Sequence, residues 1–281
     1  MFIVAAAWIA LGQQNEASPA SRPPASSKAL EDFKKEASEY VIHLQDRPND
    51  AIELREQPLL HWGNPVRYGE DGAVFVWMLD GRPEVIGSVF TFRKGNLIHR
   101  KHEYQSLAAG PLAAEFRGQR VWAPRAAGVA FQPVSDAPAP GANARLRLSQ
   151  MKSLAGEFSA NMVEFNEQKS ELRMLAQPLI RYTSKAGQTV DGAIFAFSQG
   201  TDPEALLLME ARQTESGPQW QFAFARFTFM RLKGFHNGRE VWRVEGFRDM
   251  PGLNIGSPKY QDHSYATYQV DASAPPDQDA P

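Results

Sequence analysis

The sequence predicts an α+β fold of two tandem pseudo-repeats, each an N-terminal amphipathic helix followed by a five- to six-stranded antiparallel sheet, packed together. Three observations predict it. The chain repeats itself, each copy opens with an apolar stripe of helical period, and the remainder of each copy runs at a period of two.

Displacing the sequence by 120 residues lays Gln57 to Trp122 on Gln177 to Trp242 without a gap. Gln57-Pro58-Leu59 meets Gln177-Pro178-Leu179, and Asp71-Gly72-Ala73 with Phe75 meets Asp191-Gly192-Ala193 with Phe195. Pro83-Glu84, Leu112, Gly118 and Val121-Trp122 meet Pro203-Glu204, Leu232, Gly238 and Val241-Trp242. Pairs of similar size, such as Trp62/Tyr182 and Trp77/Phe197, fill the gaps. Upstream, a displacement of 118 lays Phe33-Lys34 and Glu53-Leu54-Arg55 on Met151-Lys152 and Glu171-Leu172-Arg173. Matched order at matched size reads as a duplication.

Each copy begins with a helical pattern. Leu30, Phe33, Ala37, Tyr40, Val41 and Leu44 recur at three and four residues, as do Leu148, Met151, Ala155, Phe158 and Met162. Short runs rich in β-branched and aromatic residues follow and predict strands. In copy one they lie near Ile52–Arg55, Leu59–Trp62, Ala73–Met78, Glu84–Phe92, Glu103–Leu112 and Arg120–Ala123. In copy two they lie near Glu171–Met174, Leu179–Tyr182, Ala193–Ser198, Ala205–Ala211, Gln219–Arg231 and Glu240–Glu245. Asp71-Gly72, Asp191-Gly192 and Asn237-Gly238 read as turns, because Gly accepts positive φ and Asp or Asn bonds nearby backbone. Both alternating sets are apolar in Ala193–Phe197 and Leu206–Met209, so both sheet faces are expected to be covered. One helix covers one face, and the other copy is expected to cover the second. Trp220, Phe222 and Phe224 share a parity that Phe227 and Phe229 do not, which predicts a bulge near Ala225-Arg226.

The copies are expected over residues 29–132 and 147–250, joined by a Pro/Ala-rich linker, 133–146. Residues 251–281 read as a tail, disordered from 272, where Ala-Ser-Ala-Pro-Pro is low-complexity. At the other end, Phe2 to Leu11 is an apolar run about half the roughly 20 residues of a spanning helix. It reads as the core of a secretory signal over residues 1–12, although no Lys or Arg precedes it. A linker over 13–28 follows. The expected location is periplasmic or extracellular, with no transmembrane segment in the mature protein.

Composition narrows the chemistry. The net charge is −2 and no basic stripe appears, so no nucleic-acid partner is expected. Cysteine is absent, which excludes thiol nucleophiles, disulfides and thiolate metal sites. The nucleophile-elbow, zincin, Walker and dinucleotide motifs are absent too. No cofactor and no metal are predicted. In His99-Arg100-Lys101-His102-Glu103 the two histidines point to opposite faces of a strand and a third ligand is missing. That stretch is expected as a solvated polar hairpin, with His102 and Glu103 the catalytic candidates should the chain be a hydrolase. Binding candidates are His61 and Arg181, matched and polar, beside Trp62 and Tyr182, matched and aromatic, together with Arg226 in its aromatic strand. They are expected around a cleft between the copies.

The arrangement Glu-Leu-Arg, Gln-Pro-Leu, Asp-Gly-Ala, Pro-Glu, then Val-Trp is carried by Glu53 to Trp122 and again by Glu171 to Trp242. It resembles an uncharacterised family of predicted secreted bacterial proteins with an internal duplication. The resemblance implies export and repetition, and no activity. The expected function is non-catalytic binding of a ligand or protein partner through the sheets or the cleft between copies. A hydrolase with dispersed acid and base residues, or a self-associating envelope component, are the alternatives.

Overall fold

The fold is mainly β, which corrects the α+β class expected from the sequence: among the described residues strands hold 56 % and helices 11 %. The structure, a computed structural model, describes residues 27–50, 52–64, 70–184, 188–246 and 263–273. The apolar run and most of the linker expected over residues 1–28 lie outside the described residues, as do 251–262 and 274–281 of the expected tail.

The first half runs α1 (Ser27–Ser38), β1 (Tyr40–Leu44), β2 (Glu53–Leu54), β3 (Leu60–Asn64), β4 (Glu70–Leu79), β5 (Arg82–Lys94), β6 (Leu97–Ser106), β7 (Leu112–Phe116) and β8 (Gln119–Trp122). A short strand, β9 (Gln132–Pro133), precedes α2 (Ala144–Ala155). The second half continues with β10 (Phe158–Val163), β11 (Lys169–Met174), β12 (Ile180–Tyr182), β13 (Thr189–Gln199), β14 (Asp202–Thr214), β15 (Gly217–Arg226), β16 (Arg231–His236) and β17 (Arg239–Val244). A last strand is β18 (Tyr265–Ser273).

The class correction has a local cause. The stripe from Leu30 to Leu44 is not one helix: α1 ends at Ser38, and Tyr40 and Ile42 are buried in β1 while Val41 between them is 62 % exposed. At this junction helical spacing and strand alternation coincide, and β-branched Val41-Ile42 favour the strand. The same happens after α2, where Phe158, Ala160 and Met162 are the buried set of β10. Asn143 caps α2 by accepting a hydrogen bond from the Leu146 amide at 2.9 Å.

Three antiparallel sheets result. A six-stranded sheet has the order β18-β6-β5-β4-β2, with β3 also on β4. A three-stranded sheet, β1-β7-β8, stands beside it. The nine-stranded sheet has the order β17-β16-β10-β11-β13-β14-β15-β9, with β12 also on β13, and it curls toward a half-barrel. The curl brings Trp242 of β17 onto Phe224 of β15, ring centres 5.3 Å apart and nearly parallel.

Each half has its own core. Phe33 and Ala37 of α1 pack with Phe75, Trp77, Tyr104 and Trp122; Met151 and Ala155 of α2 pack with Phe195, Phe197 and Leu207. A third core lies between the large sheets, where Trp62, Val74, Ile86 and Leu107 meet Tyr182, Ile194, Leu206 and Phe227. Each fully buried Leu or Phe stabilises by about 1.5–3 kcal/mol. The contacts between halves are reciprocal. Thr201 Oγ1 donates to the Gly63 carbonyl at 2.5 Å, and a Cβ on Gly81 would stand 2.6 Å from the Thr183 carbonyl. Both relations carry the same displacement of 120, as in an interface that repeats one patch on each side.

Other expectations are corrected. Asp71-Gly72 and Asp191-Gly192 are not turns but lie inside β4 and β13. A Cβ on Gly72 would stand 2.5 Å from Phe90 Cβ and 2.8 Å from Trp62 Cζ2; one on Gly192 would stand 2.8 Å from the Tyr182 ring. The glycines are gaps that the aromatic of the neighbouring strand fills. Asn237-Gly238 does turn, at φ 48° and 78°. No bulge interrupts the β14–β15 pairing; the strand ends at Arg226, and Phe227–Met230 lead into β16. Within 133–146, expected as a linker, Val134 is buried, and Arg147 and Gln150 of α2 hold the Gly141, Ala142 and Ala139 carbonyls. The expected tail contributes β18, which runs antiparallel to β6.

Candidate functional site

The five-residue cluster around His102 is not a solvated hairpin. It lies in mid-β6 between α1 and the second half, with His99, Lys101, His102 and Glu103 all buried. Alternation sends its members two ways. His102 faces α1, where Nε2 donates to Glu36 Oε2 at 2.7 Å and Nδ1 accepts from the Tyr40 hydroxyl at 2.7 Å. The carboxylate can only accept, so Nε2 carries the proton and Nδ1 is left to accept. Burial pushes the imidazole below its ordinary value, against the hydrogen bond and charge of Glu36. Burial also pushes the Glu36 carboxyl up, but the His102 bond and the Arg100 and Arg117 charges outweigh it and hold the group below its ordinary value. The ring is packed edge-on to Phe116 at 5.3 Å, and it is fully buried. Carboxylate, imidazole and hydroxyl form a chain, but its centre is sealed from substrate, so it braces α1 and β1 against β6.

Glu103 faces the other way and accepts from the Tyr265 hydroxyl at 2.7 Å. Burial raises the Tyr265 phenol well above its ordinary value, and Glu103 adds to this. Arg226 lies with its guanidinium 5.3 Å above the Tyr265 ring and donates to the Thr228, Met230 and Glu245 carbonyls at 2.9, 2.8 and 3.1 Å. Burial lowers it to about 10. Arg226 therefore shapes the turn from β15 to β16 rather than a ligand surface.

Trp62 and Tyr182 are buried in the core between sheets. Trp62 donates to Ser88 Oγ at 3.3 Å and Tyr182 to Glu210 Oε1 at 2.7 Å. Glu210 also accepts from Thr189 at 3.0 Å and pairs with Arg212 at 3.0 Å and Arg82 at 3.3 Å. Burial pushes the Arg82 guanidinium down, and Glu210, Tyr182 and Glu84 outweigh this to hold it above its ordinary value. His61 is half-buried, with Nε2 3.1 Å from Asp71 Oδ1.

Of the sequence-predicted set, Arg181 faces a cleft. The cleft, of about 500 Å³, lies between the halves, lined by Arg55 and Met78 of the first and by Leu148, Lys152 and Gln177 to Arg181 of the second. Its volume falls in the range of small-molecule sites. Met78, Leu148, Pro178, Leu179 and Ile180 make an apolar wall, and the charged lining residues are all basic. Arg181 is fixed by Asp191, Nε to Oδ1 at 2.8 Å and Nη2 to Oδ2 at 2.5 Å. Asp191 is buried and also takes Arg147 Nε at 2.8 Å, so this trio carries a net positive charge. Lys152 Nζ donates to the neutral Gln177 Oε1 at 2.6 Å. Among the described residues the Arg55 guanidinium carries no ion pair.

Sequence reasoning missed Arg55 and Lys152, which come from the end of β2 and from α2 and converge only because the halves pack together. The sequence did hold a signal: Gln177-Pro178-Leu179 matches Gln57-Pro58-Leu59, and the segment it marks lines the cleft. The chain matches no protein-family model, and no curated protein and no solved structure shows significant similarity to it.

Proposed function

We propose that the protein is an exported, non-catalytic binding protein, formed by duplication, that takes a small organic ligand in the cleft between its halves. We place it with the secreted bacterial proteins that its repeated motif resembles. The observation that carries the reading is the cleft itself. It has the volume of a ligand site, apolar lining residues and three lining cations, of which Arg181 is held by Asp191. Duplication is supported by the displaced sequence identities and by the reciprocal Thr201–Gly63 and Gly81–Thr183 contacts. Export is supported by the apolar run from Phe2 to Leu11. Among the described residues no helix is long and apolar enough to cross a membrane.

The buried ionisable groups support the non-catalytic part. His102 and Glu103, the pair with the best claim to acid–base work, are engaged by Glu36, Tyr40 and Tyr265 inside the cores. General acid–base catalysis needs the group within hydrogen-bond reach of substrate. The test is a thermal-shift screen of the full chain against chemically varied small molecules, in parallel with Leu148→Trp, which fills the cleft. A ligand at about 100 times its Kd adds roughly 2.7 kcal/mol, and the shift is expected to vanish in Leu148→Trp. Shifts that persist undiminished in that variant, or a folded protein that responds to nothing in the set, would remove the cleft from consideration.

A further inference from the structure

We infer that the cleft selects an anionic amphiphile: one carboxylate or phosphate head against Arg55, Lys152 and Arg181, and an aliphatic body along Met78, Leu148, Leu179 and Ile180. The inference rests on the cleft being the binding site. Three cations line the cleft and no acid does. Arg181 is held in place by Asp191 before any ligand arrives, so little ordering is needed on binding. The lining thus offers both charge for a head group and apolar surface for an aliphatic body.

The repeat supplies an internal comparison. The Arg55 amide bonds the Val76 carbonyl as the Leu175 amide bonds the Ala196 carbonyl, so in the folded chain the displacement there is 120, not the 118 of the sequence match to Arg173, and Arg55 falls on Leu175. Arg181 falls on His61 and, displaced by 118, Lys152 falls on Lys34. At each of these mates the cationic character is gone or spent. Leu175 has no charge, His61 is bonded to Asp71, and Lys34 is paired with Glu31 at 2.9 Å. Four of the five apolar members persist, because Leu148, Pro178, Leu179 and Ile180 fall on Leu30, Pro58, Leu59 and Leu60, while Met78 falls on Ser198. Three positions that come from three separate elements are basic together in one arrangement and not in the other. Core packing does not require this: Arg55 and Lys152 are exposed, and neither supports the fold through an ion pair among the described residues. Recognition of an anion does require it, since neighbouring like charges cost energy until a counter-charge joins them.

The experiment is titration calorimetry on the full chain with octanoate, octyl phosphate, octanol, octylammonium, acetate and inorganic phosphate, each below its aggregation limit. Octanoate or octyl phosphate is expected to bind at least tenfold more tightly than octanol or octylammonium, and than the short anion of the same head. Which of the two binds separates a carboxylate from a phosphate source. Arg55→Gln with Lys152→Gln is expected to weaken the octyl anion at least tenfold while leaving the melting temperature unchanged, because both side chains are exposed. Equal binding of octanol in the cleft, abolished by Leu148→Trp, would overturn the anionic class and leave the cleft standing as a site. Inorganic phosphate binding as tightly as octyl phosphate would overturn the amphiphile. Absence of binding by every octyl compound would overturn the inference, with the wider screen deciding the cleft separately.

Discussion

Tyr265 donates a hydrogen bond from its hydroxyl to Glu103 across 2.7 Å although the two stand 162 positions apart in the chain. The bond seals a buried carboxylate on the face of the first sheet that meets the second half, under the Arg226 guanidinium. Three expectations follow from contacts of this kind, each built on a polar group that burial makes costly to leave unserved.

Replacing Tyr265 by Phe keeps the ring and removes the donor. The stability lost is expected to be about 1–3 kcal/mol, the range for a buried polar atom deprived of a partner. Deleting the chain from His263 onward is expected to do more. It takes away β18 and the carbonyl that Trp122 Nε1 bonds at 2.7 Å, and it bares the β6 edge. Urea denaturation checks the first and light scattering the second, where aggregation is expected from an open edge. A truncated chain as stable and monodisperse as the whole would show that β18 is dispensable.

Glu210 is expected to be the most expensive single carboxylate to remove. Its side chain is fully buried and serves Arg82, Arg212, Tyr182 and Thr189. Glu210→Ala leaves the buried Arg82 facing one acid, Glu84, and should cost roughly 3–5 kcal/mol. Arg212 is more exposed and can rehydrate. A Glu210→Ala, Arg82→Met double variant is expected to recover part of the loss, read as a coupling energy from the four urea curves. Strict additivity would show that the two do not interact.

Stability should fall as the solution is acidified from about pH 6.5. Above the ordinary histidine value of 6.5, His102 is neutral folded and unfolded. Below it the unfolded chain binds a proton that the folded chain refuses, because burial depresses the folded value. The contribution is therefore present above 6.5 and lost as pH falls through the folded value. Glu36 extends the loss below its ordinary 4.5, since its folded value is also lowered. His102→Gln is expected to flatten the upper part of the urea-midpoint profile while keeping the lower part. An unchanged upper slope in that variant would assign it to other groups.

Much of this was legible in the sequence, and the failures have identifiable causes. The displaced identities located strands in both halves, and the unbroken apolar run Leu206–Met209 marked a strand buried on both faces. Tyr40 to Leu44 misled because five residues cannot separate a period of 3.6 from one of two. Gly72 and Gly192 misled because a glycine kept for the space above it looks, in sequence, like one kept for its backbone. β18 was invisible because a strand whose partner is fixed by hydrogen bonding along an edge needs little hydrophobic patterning of its own. His102 was found as a singular residue but placed in water, since nothing local to it reveals that α1 and Tyr40 cover it. At the site, Arg181 was legible as half of a matched pair; Arg55 and Lys152 were not, because tertiary packing alone makes them neighbours.

The position of β18 orders events in time. The six-stranded sheet belongs to the first half of the chain, yet one edge of it is laid down by Tyr265–Ser273, after the whole second half. A ribosome releases residues in sequence, and domains commonly close as they emerge. Here the first half leaves the ribosome with the β6 edge open and the Glu103 carboxylate without its tyrosine. It stays so until the whole second half has been made. Closure waits for a strand that follows a complete second unit, and the interval before it is one in which that edge is exposed to chaperones.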